Sequence, residues 1–202
     1  MVFGRFFKKA KQEPEKIEVH YTAQLNAYLM PMDRGDVFED PLHALLQDAG
    51  IGETDGGGTA MGDGDKHGIS YIDVEIYLND DSAEARDQLV GFLNDLKVPK
   101  GSMLKSALWG DDIPIGTAEG LVLFMNGTEL SDEVYDTCDI NDVINDAEKS
   151  LGDEFAYFSH FAGPKNTALY FYGGSYAKMV PIIEGVQARH RNCEKSWIEQ
   201  IA

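Results

Sequence analysis

The stretch that decides the fold is "ISYIDVEIYLNDDSAEARDQLVGFLNDLKV", residues 69–98. Its first part alternates strictly, which predicts a strand with one buried face made of Ile72, Val74, Ile76 and Leu78. Its second part predicts an amphipathic helix that buries Leu89, Val90, Leu93 and Leu96. A strand followed by a helix that packs on it is typical of a sheet covered by helices.

The rest of the first half supplies the other elements of such a unit. Residues 16–30 predict a strand, which Pro31 ends, and residues 99–108 predict a further extended segment. Between them, residues 38–50 predict a helix with Asp40 as N-cap and Gly50 as C-cap. The order is interpreted as βαββαβ, in which the glycine-rich stretch after the first helix joins the second and third strands.

The second half repeats this order. Strands are predicted for residues 120–127, 154–163, 166–174 and 195–202, and helices for residues 139–153 and 175–190. The apolar positions in the second helix of each half correspond at a constant offset of 90 residues, so that Leu93 corresponds to Ile183. The sequence predicts an α+β protein of two ferredoxin-like βαββαβ units in tandem, with antiparallel sheets and helices on one face.

The predicted domains are a flexible basic tail (1–16), a first unit (17–108), a linker (109–120) and a second unit (121–202). The linker prediction rests on the glycines, carboxylates and proline of "WGDDIPIGTAEG". The sequence leaves open whether the units are separate domains or have joined sheets. We expect each unit to hold its own core.

The net charge of the chain constrains the kind of partner that it can bind. The chain carries 35 acidic and 17 basic residues, a net charge of −18. Residues 1–16 contain five of the basic residues, so the remainder has 12 basic and 33 acidic residues, a net charge of −21. Such a surface disfavours nucleic acid and attracts a basic protein partner, although acidity also serves ordinary solubility.

The N-terminal residues differ from the rest. Phe3, Phe6 and Phe7 stand beside Arg5 and Lys8, a pattern that suits contact with a membrane surface or a partner. Neither a transmembrane segment nor a secretory signal is recognisable. The two cysteines, Cys138 and Cys193, lack a CxxC spacing, which favours free thiols in a reducing cytoplasm.

The glycine-rich stretch "ETDGGGTAMGDGDKHGIS", residues 53–70, is predicted to be a flexible loop at a hairpin tip. It matches no phosphate-binding motif. Asp63 and Asp65 are weak calcium candidates, because Val74 stands where a calcium loop needs a carboxylate. Consecutive glycines are also typical of a bulge or a close backbone approach.

No catalytic motif is present, and neither a cofactor nor a metal is predicted. The five histidines show no metal-binding spacing. Tyr71, Asp73 and Glu75 lie on the polar face of the predicted strand. They are interpreted as a solvated sheet face, as a partner surface, or as paired carboxylates of an enzyme or small-ligand binder that uses a cleft between the two sheets.

The helix predicted for residues 139–153 has an acidic face, on which Asp139, Asp142 and Asp146 recur at spacings of three and four. Asp139 and Asp142 suit the positive end of the helix dipole, whereas Asp146 lies past the middle. The face is either solvated or part of a partner-binding surface.

The passages "MPMDRGDVFEDPLHALLQDAGIGETDGGGT", "IDVEIYL" and "NTALYFYGGSYAKM" resemble a group of bacterial acidic α+β proteins, a likeness that brings no activity and no binding residue. Small acidic α+β proteins of this kind include bacterial immunity proteins. The sequence therefore favours a non-enzymatic interaction protein, an immunity-type or regulatory inhibitor that binds a basic protein. The alternative is the enzyme or small-ligand binder.

Overall fold

The computed structural model describes residues 19–62, 68–106 and 112–202. The strands of the first sheet are β1 (Val19–Leu25), β2 (Gly52–Met61), β3 (Ile69–Leu78), β4 (Ser102–Ser106) and β5 (Ile113–Ile115). They are antiparallel in the order β2-β3-β1-β4-β5. The helices of this unit are α1 (Pro31–Arg34), α2 (Asp40–Ala49) and α3 (Ala83–Asp95), with a π-helical segment (Gly35–Glu39) joining α1 to α2.

The second unit repeats the arrangement. Its strands are β6 (Glu119–Asn126), β7 (Phe155–Ala162), β8 (Asn166–Gly173) and β9 (Trp197–Gln200), in the order β7-β8-β6-β9. Its α-helices are α4 (Asp132–Thr137), α5 (Ile140–Leu151) and α6 (Tyr176–Arg189), and a 3₁₀ turn (Arg191–Cys193) follows α6. Within each unit the strand order is second, third, first, fourth, so the prediction of tandem ferredoxin-like units is confirmed.

The first helical segment begins earlier than predicted. Pro31 occupies the first helical turn, and the chain continues without a break into α2. Asp40 has helical φ and ψ of −65° and −46°, so it is not an N-cap. Proline at a helix start supplies a fixed φ and lacks only an N–H that would be unpaired there. Gly50 does end the helix, with a left-handed φ of 68°.

The glycine-rich stretch is not a loop over its first part. Residues 52–61 form β2, an edge strand paired with β3, so the prediction of a flexible loop over residues 53–70 is wrong there. The register shifts between Thr54 and Gly57, which marks the bulge that consecutive glycines suggested. A Cβ on Gly57 would lie 2.3 Å from the Asp73 carbonyl oxygen, so the strands approach closely here. Asp63 and Asp65 lie outside the described residues.

The two sheets are separate, but the units share a core. One buried cluster contains the inner faces of the first sheet and of α2 and α3, together with Val122, Phe124, Phe158, Ala168, Tyr170 and Tyr172 of the second sheet. Tyr28 N–H donates to the Tyr172 hydroxyl at 3.2 Å, and the Phe38 and Phe158 rings meet edge to face. The expectation that each unit holds its own core is wrong for the first unit.

The other face of the second sheet packs on α5 and α6. Leu123, Leu169 and Phe171 meet Val143 and Ile183 there in a second buried cluster. The central strands β6 and β8 are therefore buried on both faces, and they read as continuous apolar runs. Strand β5 lies within residues 109–120, the segment predicted to be a linker. Residues 109–111 of that segment and the predicted tail, residues 1–16, lie outside the described residues.

Candidate functional site

The open face of the first sheet carries the first group of predicted site residues. Tyr71, Asp73 and Glu75 alternate on β3 with the buried Ile72, Val74 and Ile76, as the sequence predicted. They point away from the shared core, which fills the space between this sheet and the second one. These residues therefore do not line a cleft between the two sheets.

Both carboxylates on this open face have partners on the neighbouring strand β1. Glu75 accepts a hydrogen bond from the Thr22 hydroxyl at 2.9 Å and lies 2.5 Å from His20 Nε2. Gln24 Nε2 donates to Asp73 at 3.3 Å. Lys105 Nζ in turn donates to the Gln24 side-chain oxygen at 3.1 Å. These cross-strand contacts give Asp73 and Glu75 a role in stabilising the sheet.

The three acids predicted on one helical face have different environments. Asp139 is the N-cap of α5 and accepts from the Asn141 N–H at 2.8 Å. Asp142 is exposed. The Asp146 carboxylate accepts from Arg189 Nε at 2.9 Å and lies 2.9 Å from His190 Nε2. Hydrogen bonds from Arg189 and then His190 lower the pKa of Asp146 to about 2. Asp139 and Asp146 thus have structural roles, the first as a helix cap and the second as the partner of Arg189 and His190.

A cleft of about 180 Å³ lies beside these acids, between α4, the start of α5 and the ends of β6 and β8. Its apolar walls are Met125, Val134 and Ile140. Cys138, half-buried, also lines it, and so does Tyr135, which is 41% exposed. Asn126, Thr167 and Asn192 complete the lining, so the cleft has mixed polar and apolar walls and is open to solvent.

The polar atoms around the cleft are held by local hydrogen bonds. Asn126 Oδ1 accepts from the N–H groups of Thr128 and Glu129, at 3.0 and 2.8 Å. The Tyr135 hydroxyl accepts from Leu130 N–H at 3.0 Å, and Asn192 Nδ2 donates to the Asp139 carbonyl at 3.2 Å. The walls are consequently fixed by the turn before α4 and by the 3₁₀ turn after α6.

Asp136 and Asp139 line a shallow opening that adjoins the cleft and shares Cys138, Ile140 and Thr167 with it. Together with the neighbouring acids of α4 and α5 they form what we call the acidic rim: Asp132, Glu133, Asp136, Asp139 and Asp142. Glu133 pairs with Arg191 at 3.1 Å, and nearby Lys195 pairs with Glu129 at 3.5 Å. Asp132, Asp136 and Asp142 are exposed, and none of them makes a hydrogen bond or ion pair within the described part of the chain. The rim thus retains three carboxylates that are available to an external cation.

Sequence reasoning noted the acids of α4 but missed the cleft. The sequence does contain a signal for the cleft. Val134 and Ile140 are apolar residues flanked by acids, one on each of two short amphipathic segments. Among the described residues no group of three or more His, Cys, Asp or Glu side chains is arranged to hold a metal. No helix in the described ranges is both long enough and apolar enough to cross a membrane.

Comparison with known proteins finds only weak structural similarity. No family model matches the chain, and no curated protein matches it. The first two RRM domains of a yeast poly(U)-binding protein are 11% identical, with 91% of this chain and 99% of that chain covered and a TM-score of 0.25. The regulatory subunit of aspartate kinase from Thermus thermophilus is 14% identical, with 83% and 93% covered and a TM-score of 0.26. With TM-scores and identities this low, the similarity supports no conclusion about this chain.

Proposed function

We propose that this protein is a non-enzymatic, acidic interaction protein of the cytoplasm that binds a basic protein partner, in the manner of an immunity-type or regulatory inhibitor. The observation that carries the proposal is the acidic rim, where Asp132, Asp136 and Asp142 stand exposed and unpaired within the described residues, and where Asp136 lines the opening next to the cleft. A protein of net charge −18 steers a basic partner, and the rim gives that partner a place to dock.

Local stability explains only part of the rim: Asp139 caps α5, and Asp132 and Glu133 lie in the first turn of α4, where the helix dipole favours a negative charge. Asp132 and Asp136 are four residues apart on α4, and Glu133 and Asp136 are three apart, so like charges face one another. Asp136 also lies in the last turn of α4, where the helix dipole disfavours a negative charge. Each of these contacts destabilises an isolated helix by about 0.2–0.5 kcal/mol. A basic partner would remove this repulsion on binding.

The open sheet face supports the proposal less well. Asp73 and Glu75 already accept hydrogen bonds from Gln24 and Thr22. The alternative function, an enzyme or small-ligand binder working between the two sheets, gains no support from the positions of these carboxylates and Tyr71, because they lie on the face opposite the shared core.

The test is a pulldown from native cytoplasm at low and moderate salt with three baits. The baits are the wild type, a rim variant (Asp132→Asn, Asp136→Asn, Asp142→Asn) and a control variant of equal charge on α3 (Glu84→Gln, Asp87→Asn, Asp95→Asn), where all three acids are exposed. We expect one basic protein, retained by the wild type and the control and lost from the rim variant. Equal retention by all three baits would contradict the rim as the docking site.

A further inference from the structure

The cleft and the shallow opening beside it share Cys138, Ile140 and Thr167, so together they form one continuous space, which we call the recess. The cleft is its inner part, with a volume of about 180 Å³. Asp136 and Asp139 line the opening and not the cleft. A long side chain that enters through the opening therefore passes a carboxylate before it reaches the cleft.

Two oxygen atoms in the recess have no hydrogen-bond partner within the described residues. Asn192 is only 9% exposed, and its Nδ2 donates to the Asp139 carbonyl oxygen at 3.2 Å, whereas its Oδ1 accepts nothing from the described part of the chain. The Thr167 hydroxyl, which lies where cleft and opening meet, likewise has no described partner.

The Asn192 oxygen faces the cleft. In the described ranges, Asn94 Oδ1 is the one fully buried side-chain polar atom without a hydrogen bond, so the Asn192 oxygen is not sealed in the interior. The surface to which Asn192 contributes is the lining of the cleft. An unpaired acceptor on a nearly buried side chain is unfavourable unless a donor reaches it, so the recess favours a ligand that donates hydrogen bonds.

The other walls of the cleft suit a long side chain with an apolar stem and a cationic end. Met125 and Val134 are buried and Ile140 is half-buried, which gives an apolar surface for a stem. Tyr135 is 41% exposed, and its hydroxyl accepts a hydrogen bond from Leu130 N–H at 3.0 Å, which holds the ring in place. An exposed aromatic ring attracts a guanidinium or ammonium group.

The position of Asp136 distinguishes it from exposed acids elsewhere. Asp87 on α3 is also exposed, and it too lacks a hydrogen bond or ion pair within the described residues. Asp136 differs because it lines an opening that continues into a cleft with unpaired acceptors. Arg191, the neighbour of Asn192 in the chain, pairs with Glu133 at 3.1 Å, so its positive charge is partly compensated.

We propose that the recess binds one arginine side chain of the basic protein partner, an inference that rests on the proposed function above. The stem lies on the apolar wall, the guanidinium donates to the oxygens of Asn192 and Thr167, and Asp136 at the entrance compensates its charge. Arginine fits better than lysine, because its five N–H donors lie in one plane and can serve acceptors on two different elements. The ammonium of lysine is a compact and more strongly hydrated donor.

The test is a titration of the full chain with Nα-acetyl-arginine methylamide at low salt, followed through the chemical shifts of the backbone amides. The comparison ligands are the equally blocked lysine, the equally blocked citrulline and free arginine. Citrulline keeps the shape of arginine but replaces the guanidinium by a neutral urea group. We expect a Kd of roughly 1–10 mM for blocked arginine, with shift changes centred on Gly127, Cys138 and Thr167. Binding should be about three-fold weaker for lysine and at least about ten-fold weaker for citrulline.

Two variants test the residues that contact the guanidinium. Thr167→Val removes the hydroxyl at nearly constant shape and breaks no hydrogen bond with a described residue. Asp136→Asn removes the carboxylate at the entrance. Each should weaken the binding of blocked arginine about three- to ten-fold. Asp87→Asn is the control of equal charge, and it should change the Kd by less than about 1.5-fold.

Several outcomes would overturn the inference. Equal Kd values for blocked arginine and blocked citrulline would show that charge is not recognised, and equal weakening by Asp136→Asn and Asp87→Asn would show attraction by the whole acidic body. Shift changes centred away from the cleft would place the arginine elsewhere. Free arginine that binds at least about ten-fold more tightly than the blocked form would assign the recess to a small molecule.

These measurements need no partner, so their failure is distinct from a failure of the pulldown. If the rim captures a basic protein but blocked arginine does not bind in the cleft, the proposed function stands and only this inference is overturned.

Discussion

Asp146 on α5 and Arg189 at the end of α6 form an ion pair, with carboxylate oxygen and guanidinium Nε 2.9 Å apart. His190 Nε2 lies at the same distance from the same oxygen. The pair joins the two helices that cover the outer face of the second sheet. An acid that the sequence suggested for partner binding therefore stabilises the fold.

Asp146→Asn should lower the free energy of unfolding by about 0.5–1 kcal/mol at neutral pH, since the pair is partly exposed. The native pKa of Asp146 is about 2, below the unfolded value of about 3.9. The stabilisation is therefore complete above about pH 5 and is lost as the pH falls through the native pKa. Urea titrations at several pH values should show the difference between wild type and variant shrinking towards pH 2, whereas Asp142→Asn should show little difference.

Gly57→Ala should destabilise the protein by about 1–3 kcal/mol through overpacking in the bulge of β2. The added Cβ would lie 2.3 Å from the Asp73 carbonyl oxygen and 2.6 Å from Glu39 Oε1. Gly58→Ala is the matched control, because nothing lies within 4 Å of its Cβ position. Denaturant midpoints measure both. Equal midpoints for the two variants would contradict the close approach of β2 and β3.

Leu93→Ala and Ile183→Ala should each reduce stability by about 2–5 kcal/mol, because both side chains are fully buried. Leu93 belongs to the core that the two units share, and Ile183 belongs to the second cluster. We expect each variant to retain a single unfolding transition in calorimetry, since the shared core couples the units. Two separated transitions would show that the units unfold independently.

Asp139→Ala should reduce stability by about 1 kcal/mol through loss of the α5 N-cap, and Asp139→Asn should change it little, because asparagine also caps. The relevant contact is the hydrogen bond from Asn141 N–H at 2.8 Å. Thermal melting of both variants tests this. If the asparagine variant were as unstable as the alanine variant, charge and not capping would explain the role of Asp139.

The rim variant should slow association with a basic partner more than it speeds dissociation, and it should flatten the dependence of the association rate on salt. The α3 control variant removes the same number of charges from another surface. Stopped-flow or surface-binding kinetics at several ionic strengths give both rates. Identical salt slopes for the two variants would indicate steering by the whole acidic body without a particular docking site.

The sequence predicted the elements whose side chains repeat with a clear period. The strict alternation of residues 69–78 predicted β3 and its open face, and the apolar spacing around Leu93 and Ile183 predicted α3 and α6. The repeated order of strands and helices then predicted tandem ferredoxin-like units. Local capping likewise identified Gly50 as a helix end, whereas the N-cap predicted at Asp40 was wrong, because the helical segment begins at Pro31.

Only the tertiary structure decided what depends on distant partners. Glycines carry no side-chain period, so β2 is recognisable only through its pairing with β3. The apolar run of β8 predicted burial but not which surface covers its second face, which is the first unit through contacts such as Tyr28 with Tyr172. Asp146 and the rim acids look alike in sequence, yet Asp146 meets Arg189 whereas Asp132, Asp136 and Asp142 stay exposed. That difference comes from how the helices pack, because a carboxylate acquires its role from the groups that the fold brings within hydrogen-bonding distance.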